Sequence, residues 1–181
     1  KPISGFKDLN GMKLRVGGGV ANAIGRALGV AGVNVPAPKV YETISSGVAD
    51  GVFFPMETMY AFKVAELTKH TYRNTDGIYT TSFAIILNSD TLKSLSSAHQ
   101  KCIEKMRGVK MAAKVGAYWD AADDLGMAKG LEAGLVITDA DDADKAYFKE
   151  LTASIEADVL AEIDKRGVDG KAALAFFKSQ L

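Results

Sequence analysis

Apolar stretches and glycine breaks follow one another in a repeating order through the first third of the chain. GMKLRV (11–16) alternates as a strand does, breaks at Gly17-Gly18-Gly19, and gives way to a helical pattern from Val20. VNVPA (33–37), a helix around VYETISS (40–46) and ADGVFFP (49–55) continue the series strand, helix, strand. Short turns between such elements predict a parallel sheet with crossover helices, an α/β architecture. Residues 1–11 read as a lead-in, with a helical turn near Phe6–Leu9 that stops at Gly11.

Met56 to Leu67 reads as one helix with Met56, Met59, Tyr60, Lys63, Val64 and Leu67 on a single face. Lys69 to Gly77 is polar and irregular. IYTTSFAIILN (78–88) has the β-branched and aromatic content of a strand, apolar throughout at FAIIL as a fully buried strand is. Asp90 is the expected N-cap of a short helix ending near Ser96. From Ala98 to about Ala133 no proline intervenes, and Met111, Val115, Tyr118, Ala122 and Leu125 recur at helical spacing. An unbroken helix of that span would be roughly 50 Å long, beyond the diameter of a domain this size. Glycines at 108, 116, 126 and 130 are places where it can kink or divide, and a bridge between two lobes would explain its length. LVITD (135–139) is a short strand. Acidic residues Asp139, Asp141 and Asp142 then open a helix over about 141–165, and a last helix covers about 169–180 with Leu174 and Phe177 on its packing face.

Composition narrows the function. The 181 residues carry 22 basic and 22 acidic side chains, so the formal net charge is zero and the basic footprint of a nucleic-acid binder is absent. One cysteine, Cys102, rules out a disulfide framework. No apolar run is long enough to span a bilayer, and Lys1-Pro2-Ile3-Ser4 does not open a signal peptide. The two histidines, His70 and His99, have no ligating neighbours at metal spacing. TDADDAD (138–144) lacks the glycine and distal glutamate of a calcium loop, and helix capping explains its acids. GGGVAN has Asn22 where a dinucleotide fingerprint needs its third glycine, and no G-x-S-x-G elbow occurs. Nothing assembles a nucleophile, base and oxyanion hole, so neither an enzyme nor a cofactor is expected.

Arg15 is the residue with positive promise. Ligands of open α/β sheets sit beyond the carboxyl ends of the strands. Arg15 lies at such an end, beside three glycines and a helix N-terminus, where a guanidinium and free N–H groups favour an anion such as a carboxylate. Taken alone, it fits an ion-paired arginine on an edge strand equally well. Of Phe53 and Phe54, alternation sends one inward, and Phe54 at the strand's end is the better candidate to line a cleft.

DLNGMKLRV (8–16), VYETISSGVADG (40–51) with Pro55 after it, and FAIILNSDTLKSLSSAHQKCI (83–103) resemble the solute-binding proteins of TRAP transporters, the DctP family. The resemblance runs over essentially the whole chain in the same order. It implies a periplasmic, two-lobed binding-protein fold (type II) with a parallel or mixed sheet, flanking helices and a long helix crossing both lobes. It further implies capture of a small organic acid and delivery to a TRAP membrane permease. The arginine of the family's G-x-K-x-R strand binds the substrate carboxylate, and that position is Arg15. The turn after that strand, matching Gly19, the segment before VYE, matching Ala37, and the residue before the proline of D-G-x-x-x-P, matching Phe54, line the site. Sialic-acid-type members are polar at the last position. Phenylalanine and alanine here imply an apolar substrate body, a monocarboxylate or 2-oxo acid, aromatic ones included.

Against the family pattern the chain looks like a C-terminal portion that lacks most of the first lobe. By that topology residues 1–78 and about 120–181 form the second lobe, and 79–119 are an excursion into the other. FAIIL would then present an apolar edge, and self-association of the chain is expected. Two rivals remain at this point: an α/β enzyme holding a phosphorylated or carboxylate substrate at the glycine turn, and the sensor domain of a regulator.

Overall fold

The computed structural model describes residues 2–180. Its centre is a parallel sheet of order β2-β1-β3, with β1 at Lys13–Val16, β2 at Ala31–Asn34 and β3 at Gly51–Val52. Arg15 stands opposite Val33 on one side and Val52 on the other, so β1 is the central strand rather than an edge. Helix α1 (Val20–Ala27) crosses from β1 to β2, and α2 (Val40–Ser45) crosses from β2 to β3. A second parallel pair joins β4 (His70–Arg73) to β5 (Val136–Asp139), closed at its last register by a two-pronged Arg73–Asp139 ion pair of 2.7 and 2.9 Å.

Strand alternation splits the interior in two. Leu14, Val16 and Phe53 join Phe6, Ile24 and Leu28 in one core, which Phe148 of α7 (Asp142–Asp164) completes. Val52 and Phe54 face the other, built on Val40, Met59, Val64 and Leu135. Helices therefore cover both faces of the sheet, as expected for a doubly wound α/β fold.

Several elements differ from the sequence reading. The second strand lies two residues earlier than VNVPA, because Pro36 has no N–H for the ladder. Met56–Leu67 is not one helix: α3 (Thr58–Ala61) ends, Lys63 turns left-handed at φ 55°, and a 3₁₀ turn follows at Val64–Glu66. The break has a packing reason. Phe62 and Val64 enter the same core, whereas residues two apart on a helix point about 200° away from each other. The polar stretch HTYR is a strand, held by its pairing with β5.

Residues 78–88 form no strand, since no other strand lies beside them. Ile85 and Ile86 are 81% and 87% exposed. Asn88, not Asp90, caps α4 (Ser89–Ser94), accepting from the N–H groups of Asp90 and Thr91. The long helix divides at Gly108 into α5 (Ser97–Lys105) and α6 (Val109–Glu132). Asp141 caps α7, and α8 (Gly170–Lys178) ends the fold with Leu174 half-buried and Phe177 half-exposed.

On α6 the packed face follows Trp119, Asp123, Gly126 and Gly130, leaving Tyr118 and Leu125 outward. Gly126 is there for proximity. A Cβ on it would sit 2.0 Å from the Met56 carbonyl oxygen and 2.7 Å from Glu57 Cα. Because the obstruction is backbone, Gly126→Ala is expected to destabilise the chain by about 3 kcal/mol. A Cβ on Gly116 of the same helix meets nothing within 4 Å, so Gly116→Ala should be neutral or raise the melting temperature slightly, by up to about 1 kcal/mol in stability. Equal melting temperatures for the two variants would refute this packing.

Candidate functional site

The carboxyl ends of the three central strands meet around one side chain. Arg15 is 6% exposed, and its Nε–H donates to the Val35 carbonyl at 2.9 Å, fastening it to the segment after β2. Its guanidinium carbon lies 4.6 Å from the centre of the Phe54 ring, on the segment after β3. Phe54 is half-buried and in turn rests on Phe62 with ring centres 5.4 Å apart, whereas its neighbour Phe53 is core. Among the described residues no carboxylate forms an ion pair with Arg15. Burial lowers its pKa from the usual arginine range, a guanidinium keeping its charge nonetheless.

Sequence-expected residues gather here to different degrees. Arg15 and Phe54 are in contact. Ala37 is half-buried at the start of a 3₁₀ turn, Ala37–Lys39, two residues beyond the carbonyl that holds Arg15. Gly19 caps α1 with φ 61° and ψ −132°, a conformation that only glycine adopts readily, and a Cβ there would meet open space.

Two further residues belong to the neighbourhood and carry no sequence signature. Tyr79 lies in the field of both Arg15 and Glu57, its hydroxyl 3.5 Å from the Phe53 carbonyl. Burial is the main cause of its raised pKa, with Arg15 opposing and Glu57 reinforcing the shift. Glu57 follows Phe54 by three residues, and its N–H donates to Asp123 of α6 at 2.8 Å. Burial first and the Asp123 charge second raise its pKa. A separate groove of about 290 Å³ runs between β3 and β4, lined by Val52, Phe54, Met56 and Tyr72. Arg15 does not line it, and Phe54 borders both the groove and the guanidinium.

This arrangement can grip an anion with an apolar body. No group of three or more potential metal ligands occurs among the described residues. No helix among them is long and apolar enough to cross a membrane.

Comparison with known proteins identifies the family. The family described as bacterial extracellular solute-binding protein, family 7 (DctP), matches residues 1–162. A TRAP periplasmic solute-binding protein from Bordetella bronchiseptica, solved with (R)- and (S)-mandelate, is 37% identical with a TM-score of 0.90. The match covers 99% of this chain and 57% of that one. A marine metagenome TRAP solute-binding protein specific for aromatic acid ligands, solved with 3-hydroxybenzoate, is 34% identical with a TM-score of 0.86, covering 95% of this chain and 54% of that one. The outer membrane transporter protein TsaT of Comamonas testosteroni is 27% identical over 99% of this chain and 53% of its own length. The chain thus spans a little over half the length of these relatives. It belongs to the DctP family of extracellular solute-binding proteins, which bind their solutes and are not enzymes.

Proposed function

We propose that this chain supplies one lobe of a periplasmic receptor that closes on an aromatic monocarboxylate and delivers it to a TRAP membrane permease. The observation that carries the reading is Arg15: a buried guanidinium at the carboxyl end of a parallel sheet, over an aromatic ring and without an acidic ion-pair partner among the described residues. A ligand carboxylate fits the free prongs of that fork bidentately, and the Phe54 ring and Ala37 methyl suit an apolar body. Gly19 leaves room beside them, and the N-terminus of α1 favours the same negative charge. The mandelate- and 3-hydroxybenzoate-bound relatives, at 37% and 34% identity, support an aromatic acid over a sugar acid.

Residues 1–78 with about 120–181 are read as one lobe and 79–119 as an excursion toward the other. Burial supports this boundary, since no residue from 80 to 119 is buried, whereas both cores draw on residues before and after. On its own the chain leaves Phe83, Ile85 and Ile86 uncovered, and we read self-association as the means of covering them.

Hydrogen bonds to a charged group contribute about 1.5–3 kcal/mol. In the two-lobed receptor Arg15→Ala should therefore weaken binding of 3-hydroxybenzoate at least about tenfold by calorimetry. Arg15→Lys should not restore it, because the planar fork is lost. Unchanged affinity in Arg15→Ala would remove the basis of the proposal. Separately, light scattering of the 181-residue chain should show oligomers that Ile86→Asp returns to monomer. A monomeric parent at high concentration contradicts the self-association.

A further inference from the structure

Glu57 and Asp123 meet where the loop that carries Phe54 rests on α6. Asp123 Oδ1 accepts the Glu57 N–H at 2.8 Å. Glu57 Oε2 is sealed from solvent, and no donor in the structure reaches it. The two acids cannot easily move apart, because Gly126, three residues along the same helix, is in backbone contact with Met56 and Glu57. Two ionised carboxylates in one half-buried contact repel each other, and neutralising one of them relieves both the repulsion and the desolvation of the sealed oxygen. From this juxtaposition we propose that Glu57 and Asp123 share one proton, and that this proton fastens the ligand-facing loop to the long helix. Its link to binding rests on the reading of Phe54 as part of the ligand site.

The proton resides on Glu57 and is donated to the Asp123 carboxylate, which accepts from both the backbone N–H and the side chain of Glu57. When it departs to solvent the pair carries two negative charges. The charged group that acts on Glu57 is Asp123 from α6, and Glu57 in turn raises the pKa of Tyr79 on the segment after β4. Its own N–H and that of Thr58 oppose the shift by favouring the charged form. No lysine or arginine among the described residues forms an ion pair with either acid. Burial and Asp123 raise the Glu57 pKa in the folded chain. The stabilisation is therefore complete below the ordinary glutamate pKa and is lost as pH rises through the raised one.

Carbon-13 NMR of the Glu57 carboxyl in the 181-residue chain tests the proton directly. It should titrate above the ordinary glutamate pKa of about 4.3. Glu57→Gln replaces the shared proton with an amide donor, so its melting temperature should stay level from about pH 5 to about pH 8 while that of the parent falls. Titration of Glu57 at the ordinary value, or parallel melting profiles, overturns the proposal. Should Glu57→Gln fail to fold, the titration of the parent still decides. In the two-lobed receptor, benzoate affinity should fall at least about threefold over the same pH range, and Glu57→Gln should abolish that fall. Equal pH profiles would break the link between the catch and binding. Absence of benzoate binding at every pH would instead count against the receptor reading, leaving the NMR titration to decide the catch.

Discussion

Burying a guanidinium without a carboxylate is the constraint from which the arrangement around the central sheet follows. An unpaired buried charge costs several kcal/mol. Arg15 recovers part of that through one carbonyl hydrogen bond and one ring face, the ring contributing about 0.5–2 kcal/mol. Both partners exist only because β1 is flanked by parallel strands on each side. The segment leaving β2 must present its carbonyl, and the segment leaving β3 must present its phenylalanine. Among the described residues the remaining fork meets no carboxylate, and a ligand carboxylate would offset its desolvation.

The strand–helix order around Arg15 was legible because periodicity records burial on two faces. What periodicity cannot record is which residues find partners. FAIIL has every compositional mark of a strand and forms none, since a strand is made by its neighbour's hydrogen bonds and not by its own side chains. HTYR has few of those marks and is a strand, because β5 lies beside it. Val35 lies one residue beyond β2, and its carbonyl serves Arg15 instead of the ladder.

The candidate site divides in the same way. Strand ends and alternation point to Arg15 and Phe54, which the structure brings into contact, while Ala37 and Gly19 rest on the family pattern. Tyr79 comes beside Arg15, and Glu57 beside Tyr79, only through tertiary placement, from a segment without secondary structure and from the turn before α3. Gly126 and Gly130 were visible as a four-residue spacing, which fits a helix kink as well as a helix groove. Only the Met56 carbonyl pressed against α6 distinguishes them.

Helix α6 gathers these features onto adjacent turns of one face. Trp119 stacks on Phe83 at 4.6 Å, and Asp123, one turn later, holds Glu57; Gly126 follows beneath the Met56 backbone. The exposed apolar segment and the loop behind Phe54 are thus both seated on about two turns of a single helix of 24 residues. A helix interior is stiff, since each turn is tied to the next by backbone hydrogen bonds, so a displacement of the Phe83 contact cannot be absorbed between Trp119 and Asp123. The Phe83 contact and the Met56–Glu57 contact therefore share one rigid surface, and the two cannot be repositioned independently.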